Sequence, residues 1–359
     1  MSTAAVQPPV CPPQQSHAKP TSASTIHCDD VQPRFDPERH LRYQPPAKRH
    51  TFGEFGLDSE TPQTDMCITD PFDLFTEECV RLMRRELFQP AVFNNYMHSW
   101  ARAPCVIRGI APTVGRFIYE AWTHPATLEV ISDAAGIDLV PVMDWEIGHT
   151  NVQVGRKGVS GVWELGEIPT PALSAEEVSS LDKEDNDKLV DDWHVDSYQF
   201  VCVVMLSDAS TMRGGETAIE TGTGDVVKMR AAHMGGGVIL QGGCTKHAAF
   251  RTIGAHERVT MVTSFRPKDL ALRDNSTLRN IGPETSDMTE VHYQFAQYRL
   301  KLVRDRVDDF LKRLAERKRT LVGGQEILTR EELNGWVEQQ VEHLQSTVYE
   351  MFDRVKDTW

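Results

Sequence analysis

The sequence predicts an α+β protein with a mainly β core, a sandwich or barrel, flanked by helices at its N- and C-terminal ends. Three observations carry that expectation. The middle of the chain is a series of short, β-branched-rich segments broken by glycine: LVPVMDWEIGHTNVQV, FVCVVML, TAIET, GVILQG and RVTMVTSF. Apolar residues at helical spacing come before and after it. Finally, 40% apolar and 25% charged residues over 359 positions describe an ordinary globular chain that can bury a core.

The elements follow in order. Residues 1–50 form a Pro-rich polar leader (PPVCPPQQ, YQPPAKRH), expected to be a flexible arm because its composition buries too little to order it. Residues 51–359 read as one domain. Asp70 and Pro71 suggest a cap and first-turn pair, followed by Phe75, Val80, Met83 and Leu87 on one helical stripe. A second helix is expected from Thr113, with Phe117, Ile118, Ala121 and Trp122 inward. The β core spans about 103–268. Within it, residues 171–192 hold eight acidic side chains and two lysines, most simply a solvated insertion or short charged helix, alternatively a lid. The segment from about 285 to 359 is helical again. Phe295, Tyr298, Leu302, Phe310 and Leu314 repeat near 3.6 residues, and Leu333, Trp336, Val337, Leu344, Val348 and Phe352 follow Gly323-Gly324. These two helices either pack on the core or pair with a second chain as a homodimer.

Charge and cysteine content narrow the function. Lys and Arg total 38 against 52 Asp and Glu, a net charge of -14. That balance argues against nucleic acid, whose binders need a basic field, and against an anionic membrane surface. The seven cysteines are scattered, odd in number and never spaced as CxxC, which disfavours a disulfide framework or thiolate zinc site. With no apolar h-region near the start and no run of 18 apolar residues, a cytoplasmic, reducing location is expected.

The informative stretch is Asp192-Trp193-His194-Val195-Asp196-Ser197. Residues two apart on a strand share a face, so His194 and Asp196 can present an imidazole and a carboxylate together. His247, 51 residues beyond Asp196, would complete two His and one carboxylate, the facial triad of mononuclear non-haem iron. His149, His233 and His256 are poorer ligands, because none has a carboxylate two residues on that also precedes a distal His-x10-Arg. If Thr252 to Ala255 is a hairpin connection, His247 lies opposite Thr260, and Arg258 sits two residues away on the same face. That separation, about 6.7 Å, suits a small dicarboxylate held by metal at one end and by guanidinium at the other. Thr260 would add a hydroxyl. Strand parity continues this face through Ser264 to Arg266, where a guanidinium at the mouth suits a substrate carboxylate. The early strand at Trp145–Gln153 is polar enough for Asn151 or Gln153 to face substrate as well.

These residues resemble the Fe(II)/2-oxoglutarate-dependent oxygenases. The likeness rests on His194-Val195-Asp196, His247, Arg258-Val259-Thr260, Pro267, Gly214-Gly215-Glu216-Thr217 and Gly235-Gly236-Gly237-Val238-Ile239, over roughly residues 139–268. Where that family often has Arg-x-Ser, this chain has Arg258-x-Thr260. The resemblance implies a double-stranded β-helix (jelly roll, cupin-like). It implies Fe(II) on His194, Asp196 and His247, 2-oxoglutarate anchored by Arg258 and Thr260, and O2 as oxidant. The outcome would be hydroxylation, desaturation or oxidative cyclisation of a small molecule. The leader and strand motifs resemble fungal oxygenases of specialised metabolism, some of which oxidise free amino acids, including to aziridines. Two alternatives use the same barrel: a non-catalytic cupin-like metal-binding protein, for which Arg258 has no purpose, and a metal-dependent hydrolase.

Overall fold

In a computed structural model of the chain, the residues described are 33–359, except 59–60, 100–104, 155–157, 172, 180–188, 211, 232, 254, 324–325 and 355–359. Residues 1–32 of the leader and 172 and 180–188 of the acidic insertion therefore lie outside the described residues.

Two antiparallel sheets share eight core strands: β1 (His149–Gln153), β2 (Leu189–His194), β3 (Phe200–Met205), β4 (Thr217–Glu220), β5 (Val226–Met229), β6 (Gly236–Leu240), β7 (His247–Phe250) and β8 (Arg258–Pro267). The larger sheet runs β6-β3-β8-β1 at its centre and the smaller runs β5-β4-β7-β2. Apart from the β4–β5 hairpin, successive strands alternate between the sheets, so chain neighbours face each other rather than pair. Flanking strands widen the larger sheet, with 41–44 and 72–75 beyond β6 and 106–107 and 97–98 beyond β1.

β8 shows how pattern sets layer. Its odd-numbered residues Val259, Met261 and Phe265 are fully buried in the main core. Its even-numbered Arg258, Thr260, Val262 and Ser264 face the cavity between the sheets. The core side is covered by α1 (Glu77–Leu87), α2 (Arg116–Thr123) and α3 (Pro125–Ala135). From α2, Phe117, Ile118, Ala121 and Trp122 are buried as their spacing predicts, and the Trp122 indole N–H donates to Met261 Sδ at 3.1 Å. Truncating such a buried Trp to Ala typically costs about 3–5 kcal/mol.

Three local expectations are corrected. The first helix does not start at Asp70. Residues Phe72–Phe75 form a strand paired with Gly236 and Gly237, and the helix begins after Thr76, whose hydroxyl accepts from Cys79 N. The ordered chain begins well before residue 50: Pro37–His40 is a helical turn capped by Asp36, and Leu41–Gln44 pairs with the 72–75 strand. Composition hid this because one small aromatic cluster, half-buried Phe35 and buried His40 on Phe117, anchors the segment. The third concerns Trp145–Gln153, which is not one strand, since Asp144–Glu146 is a 3-10 turn.

The C-terminal region folds as two helices, α4 (Met288–Thr320) and α5 (Arg330–Val348). Val291, Phe295, Tyr298 and Leu302 of α4 enter a second core with Trp145, Tyr198, Leu278 and Ile281. The outer face of α5 leaves Leu333, Val337, Val341 and Leu344 exposed, and α4 does the same with Leu300, Val307 and Leu311. Among the described residues, no helix is long and apolar enough to cross a membrane.

Candidate active site

His194 ends β2 and His247 begins β7, and the two are directly paired across the strands, with ring centroids 4.4 Å apart. Asp196 follows in the turn after β2, tied to the opposite loop by Asp196 N donating to Gly242 O at 2.8 Å. Its carboxylate lies 3.5 Å from His194 Nε2 through Oδ1 and 3.4 Å from His247 Nε2 through Oδ2. Both imidazoles are oriented by backbone. His194 Nδ1–H donates to Asp192 O at 2.6 Å and His247 Nδ1–H to Thr245 O at 2.8 Å. A carbonyl can only accept, so Nδ1 carries the proton and, in the neutral ring, Nε2 turns its lone pair toward the carboxylate. One ligand atom from each of the three residues lies within 4.8 Å of the others. Two neutral imidazoles with carbonyl-fixed tautomers and one carboxylate fit a divalent first-row metal.

This convergence depends on a missing side chain. A Cβ on Gly242 would stand 1.9 Å from Asp196 Oδ2 and 2.7 Å from its Cγ. The glycine lets the 242–247 loop close on the carboxylate.

The triad opens on a cavity of about 130 Å³ between the two sheets. Val201, Val203, Leu240 and Ala248 form its apolar lining, and Arg258, Thr260, Ser264 and Asn151 face it from β8 and β1. Arg258 is buried at 5% exposure. Its Nε and Nη2 donate to Gly215 O at 3.1 and 3.0 Å, and its Nη1 donates to Thr260 Oγ1 at 3.2 Å. Gly215 has φ +73°, and a Cβ there would press on the Arg258 Nε at 3.0 Å and on Thr252 Oγ1 at 2.6 Å. The neighbouring Glu257 is taken by Arg84, a fully buried guanidinium 2.7 Å away, so it does not compete for Arg258.

The route by which Arg258 reaches the triad differs from the expected hairpin. His247 pairs with Ile219 and His194, whereas Thr260 pairs with Asn151 and Met205. Residues 252–253 pair with Arg213–Gly214, and the chain then crosses to the other sheet. His247 and Arg258 thus approach across the sandwich rather than along one ribbon. Gln153 lies opposite Arg258 in register but turns aside to accept from Thr252 N. Arg266 keeps the parity of Ser264 yet lies past the cavity. It pairs with Val140, donates to Pro267 O and stacks 5.8 Å over the Tyr298 ring. The structure does not place Arg266 at the mouth over the metal residues. Of the alternative histidines, His233 pairs with Asp73 away from the site, and His149 lines the cavity without joining the triad.

Sequence reasoning missed a buried ion pair on the same cavity, Arg108 with Glu146, together with Tyr198 and Asn280. Arg108 has no motif around it, and Glu146 was expected on a strand. Burial pushes the Glu146 carboxyl up, and it drives His149 well below the ordinary imidazole value. Asn280 Nδ2 donates to Val195 O at 2.7 Å and braces the ligand turn.

No family model and no curated protein matches the chain. Several solved structures resemble it remotely. An oxidoreductase of the 2OG-Fe(II) oxygenase family from Burkholderia pseudomallei is 13% identical, with TM-score 0.31 over 49% of this chain and 75% of that one. A prolyl-4-hydroxylase from Pseudomonas putida is 12% identical, with TM-score 0.29 over 54% and 89%. The non-heme alpha ketoglutarate dependent epimerase SnoN from nogalamycin biosynthesis is 14% identical, with TM-score 0.32 over 59% and 83%. Likenesses this distant decide nothing alone, and the functional reading rests on the residues that meet at the cavity.

Proposed function

We propose that the protein is an Fe(II)/2-oxoglutarate-dependent oxygenase acting on a small molecule. The observation that carries this is one cavity with a His194–Asp196–His247 donor set at one point and the buried Arg258–Thr260 pair facing the same space. A bare metal-binding protein or a Lewis-acid hydrolase does not require a buried guanidinium on the cavity of its metal residues, whereas a dicarboxylate cosubstrate does. The order β1-β8-β3-β6 in one sheet and β2-β7-β4-β5 in the other supports the jelly-roll reading of the fold.

In this reading His194, Asp196 and His247 would hold iron(II), with cosubstrate and dioxygen bound beside them. When bound there, iron(II) with 2-oxoglutarate and dioxygen would supply the oxidising power for a substrate C–H bond, with succinate and carbon dioxide as coproducts. Arg258 forms charge-assisted hydrogen bonds to the distal carboxylate of 2-oxoglutarate, positioned by Gly215 O. Thr260 donates its hydroxyl to the same carboxylate, and Asn151 faces the cavity opposite. Val201, Val203 and Leu240 exclude water from the reacting centre. Hydroxylation is the default outcome. The test is succinate formation on incubation with iron(II), ascorbate, oxygen and 2-oxoglutarate. Activity should vanish in His194→Ala and His247→Ala while the fold persists, and wild-type succinate yield in either variant would refute the assignment.

A further inference from the structure

Resting on that reading, we propose that Arg108 and Glu146 form the substrate head-group subsite and take a free α-amino acid as its zwitterion, carboxylate to Arg108 and ammonium to Glu146. Both side chains are buried, at 5% and 4% exposure, they pair with each other, and both line the cavity that holds the metal donors. Around them are polar atoms with nothing to bond. Arg108 Nε, His149 Nε2, Tyr198 Oη and Thr285 Oγ1 are fully buried, face the same cavity and have no hydrogen-bond partner. Native proteins pair the great majority of buried polar groups, and four unpaired ones gathered on one cavity, with others scattered elsewhere in the described residues, point to a polar ligand that completes them.

The charges select which ligand. Arg258 has the cosubstrate to answer, so the second subsite contributes only the Arg108–Glu146 pair, whose net charge is zero. A simple carboxylate entering it would draw Arg108 from Glu146 and leave that carboxylate buried alone. A simple amine would strand Arg108 in the same way. Breaking a buried pair on one side is costly because the remaining ion is uncompensated. A zwitterion replaces one ion pair by two and strands neither partner. Burial and, more weakly, Asp196 push Glu146 toward its neutral form while Arg108 opposes them, so a ligand that draws Arg108 away needs an ammonium to keep the carboxylate ionised. His149, kept neutral by burial and by Arg108, can donate or accept one further hydrogen bond without adding charge.

The experiment is calorimetric titration of the full chain, loaded with 2-oxoglutarate under anaerobic conditions, against the twenty proteinogenic amino acids. The best binder is then compared with its N-acetyl derivative and its decarboxylated amine. At least one free amino acid should bind and, in a separate assay with iron(II) and air, accelerate 2-oxoglutarate consumption, and both analogues should bind at least about 100-fold more weakly. Glu146→Gln, which keeps shape and removes charge, should lower the ratio of amino-acid affinity to 2-oxoglutarate affinity more than tenfold. Arg108→Lys should lower it as well, and offers a second reading if one variant fails to fold. The subsite is refuted if 2-oxoglutarate binds but no amino acid does, if the N-acetyl form binds equally well, or if Glu146→Gln leaves the ratio unchanged. Failure of the oxygenase reading looks different: wild-type protein would neither bind nor consume 2-oxoglutarate, whatever the amino-acid titration shows.

Discussion

Gly242→Ala places one methyl group where the structure has no room for it. The new Cβ would sit 1.9 Å from Asp196 Oδ2, and ordinary contact begins at 3.4 Å, so the carboxylate oxygen must retreat about 1.5 Å. Neither backbone can absorb this easily, because Asp196 N is bonded to Gly242 O at 2.8 Å and the next residue, Gly243, donates to Gln199 O. The side chain therefore rotates away. Metal ligation tolerates errors of only about 0.2 Å, and losing even an outer-shell partner costs 10–100-fold in affinity. Displacing a ligand should cost at least about 100-fold. The assay is anaerobic titration with Co(II), followed by its visible absorbance, beside thermal melts of the metal-free protein. In metal-free protein the substitution should lower Tm, and Asp196→Ala should relieve most of that loss by removing the clashing oxygen. Only the 3.1 Å contact with the Asp196 Cβ would remain. The pair should be strongly non-additive in both readouts. Wild-type Co(II) affinity in Gly242→Ala, or additive effects in the double variant, would refute the closure of this loop on the ligand.

Further outcomes follow from other groups. Arg258→Ala leaves the cosubstrate carboxylate without its charged partner, a loss of about 2–5 kcal/mol, so apparent 2-oxoglutarate affinity should fall by tens to thousands of fold with Co(II) affinity nearly unchanged. Burial and the neighbouring Arg299 lower His343 to about 4 from an ordinary 6.5. The unfolded chain therefore takes up this proton first, and stability should fall as pH drops from about 6.5 to about 4, with a shallower slope in His343→Gln. Burial alone would raise Asp274, but Arg299, Tyr298 and Ser276 outweigh it and bring the carboxyl to about 2. Its contribution, present above about 3.8, should disappear as pH falls toward 2, which acid melts of Asp274→Asn would check. If the exposed stripe of α5 pairs with a second copy, the chain should sediment as a dimer and Val341→Glu with Leu344→Glu as a monomer; a monomeric wild type would end that expectation.

The clustering of His194, Asp196 and His247 was legible in the sequence because ligation would limit the residue types and strand geometry fixes the spacing of His194 and Asp196. The parity of β8 was legible for the same reason, since alternation alone separates Val259, Met261 and Phe265 from Arg258, Thr260 and Ser264. Register was not. The hairpin expected around residues 252–255 assumed pairing with the nearest strand, whereas the observed partners of β8 come from residues 149–153 and 200–205. Parity also continued to Arg266, but where the cavity ends is set by what packs over the strand, here Tyr298 of α4. Arg108 and Glu146 carry no spacing rule, since a turn after one short strand and a 3-10 turn elsewhere bring them together.

The C-terminal helices reach the turn that carries Asp196 through a relay of polar contacts. Arg299 of α4 holds Asp274, Thr347 and the carbonyl of His343, all buried, and Asp274 accepts from Gln199 and from Ser276 N. The segment after it then binds the ligand turn directly: Thr277 N donates to Ser197 O, Asn280 N to Ser197 Oγ and Asn280 Nδ2 to Val195 O, on both sides of Asp196. Glu350, beyond α5, accepts from Leu278 N and clamps the same segment from outside. The strands of the two sheets are consequently not enough by themselves to hold this turn in place. A shortened chain that ends after β8 would keep His194, Asp196 and His247 in its sequence but lose the contacts from Thr277 and Asn280 that brace the turn holding Asp196, so the chain beyond Pro267 shapes the site as well as the fold.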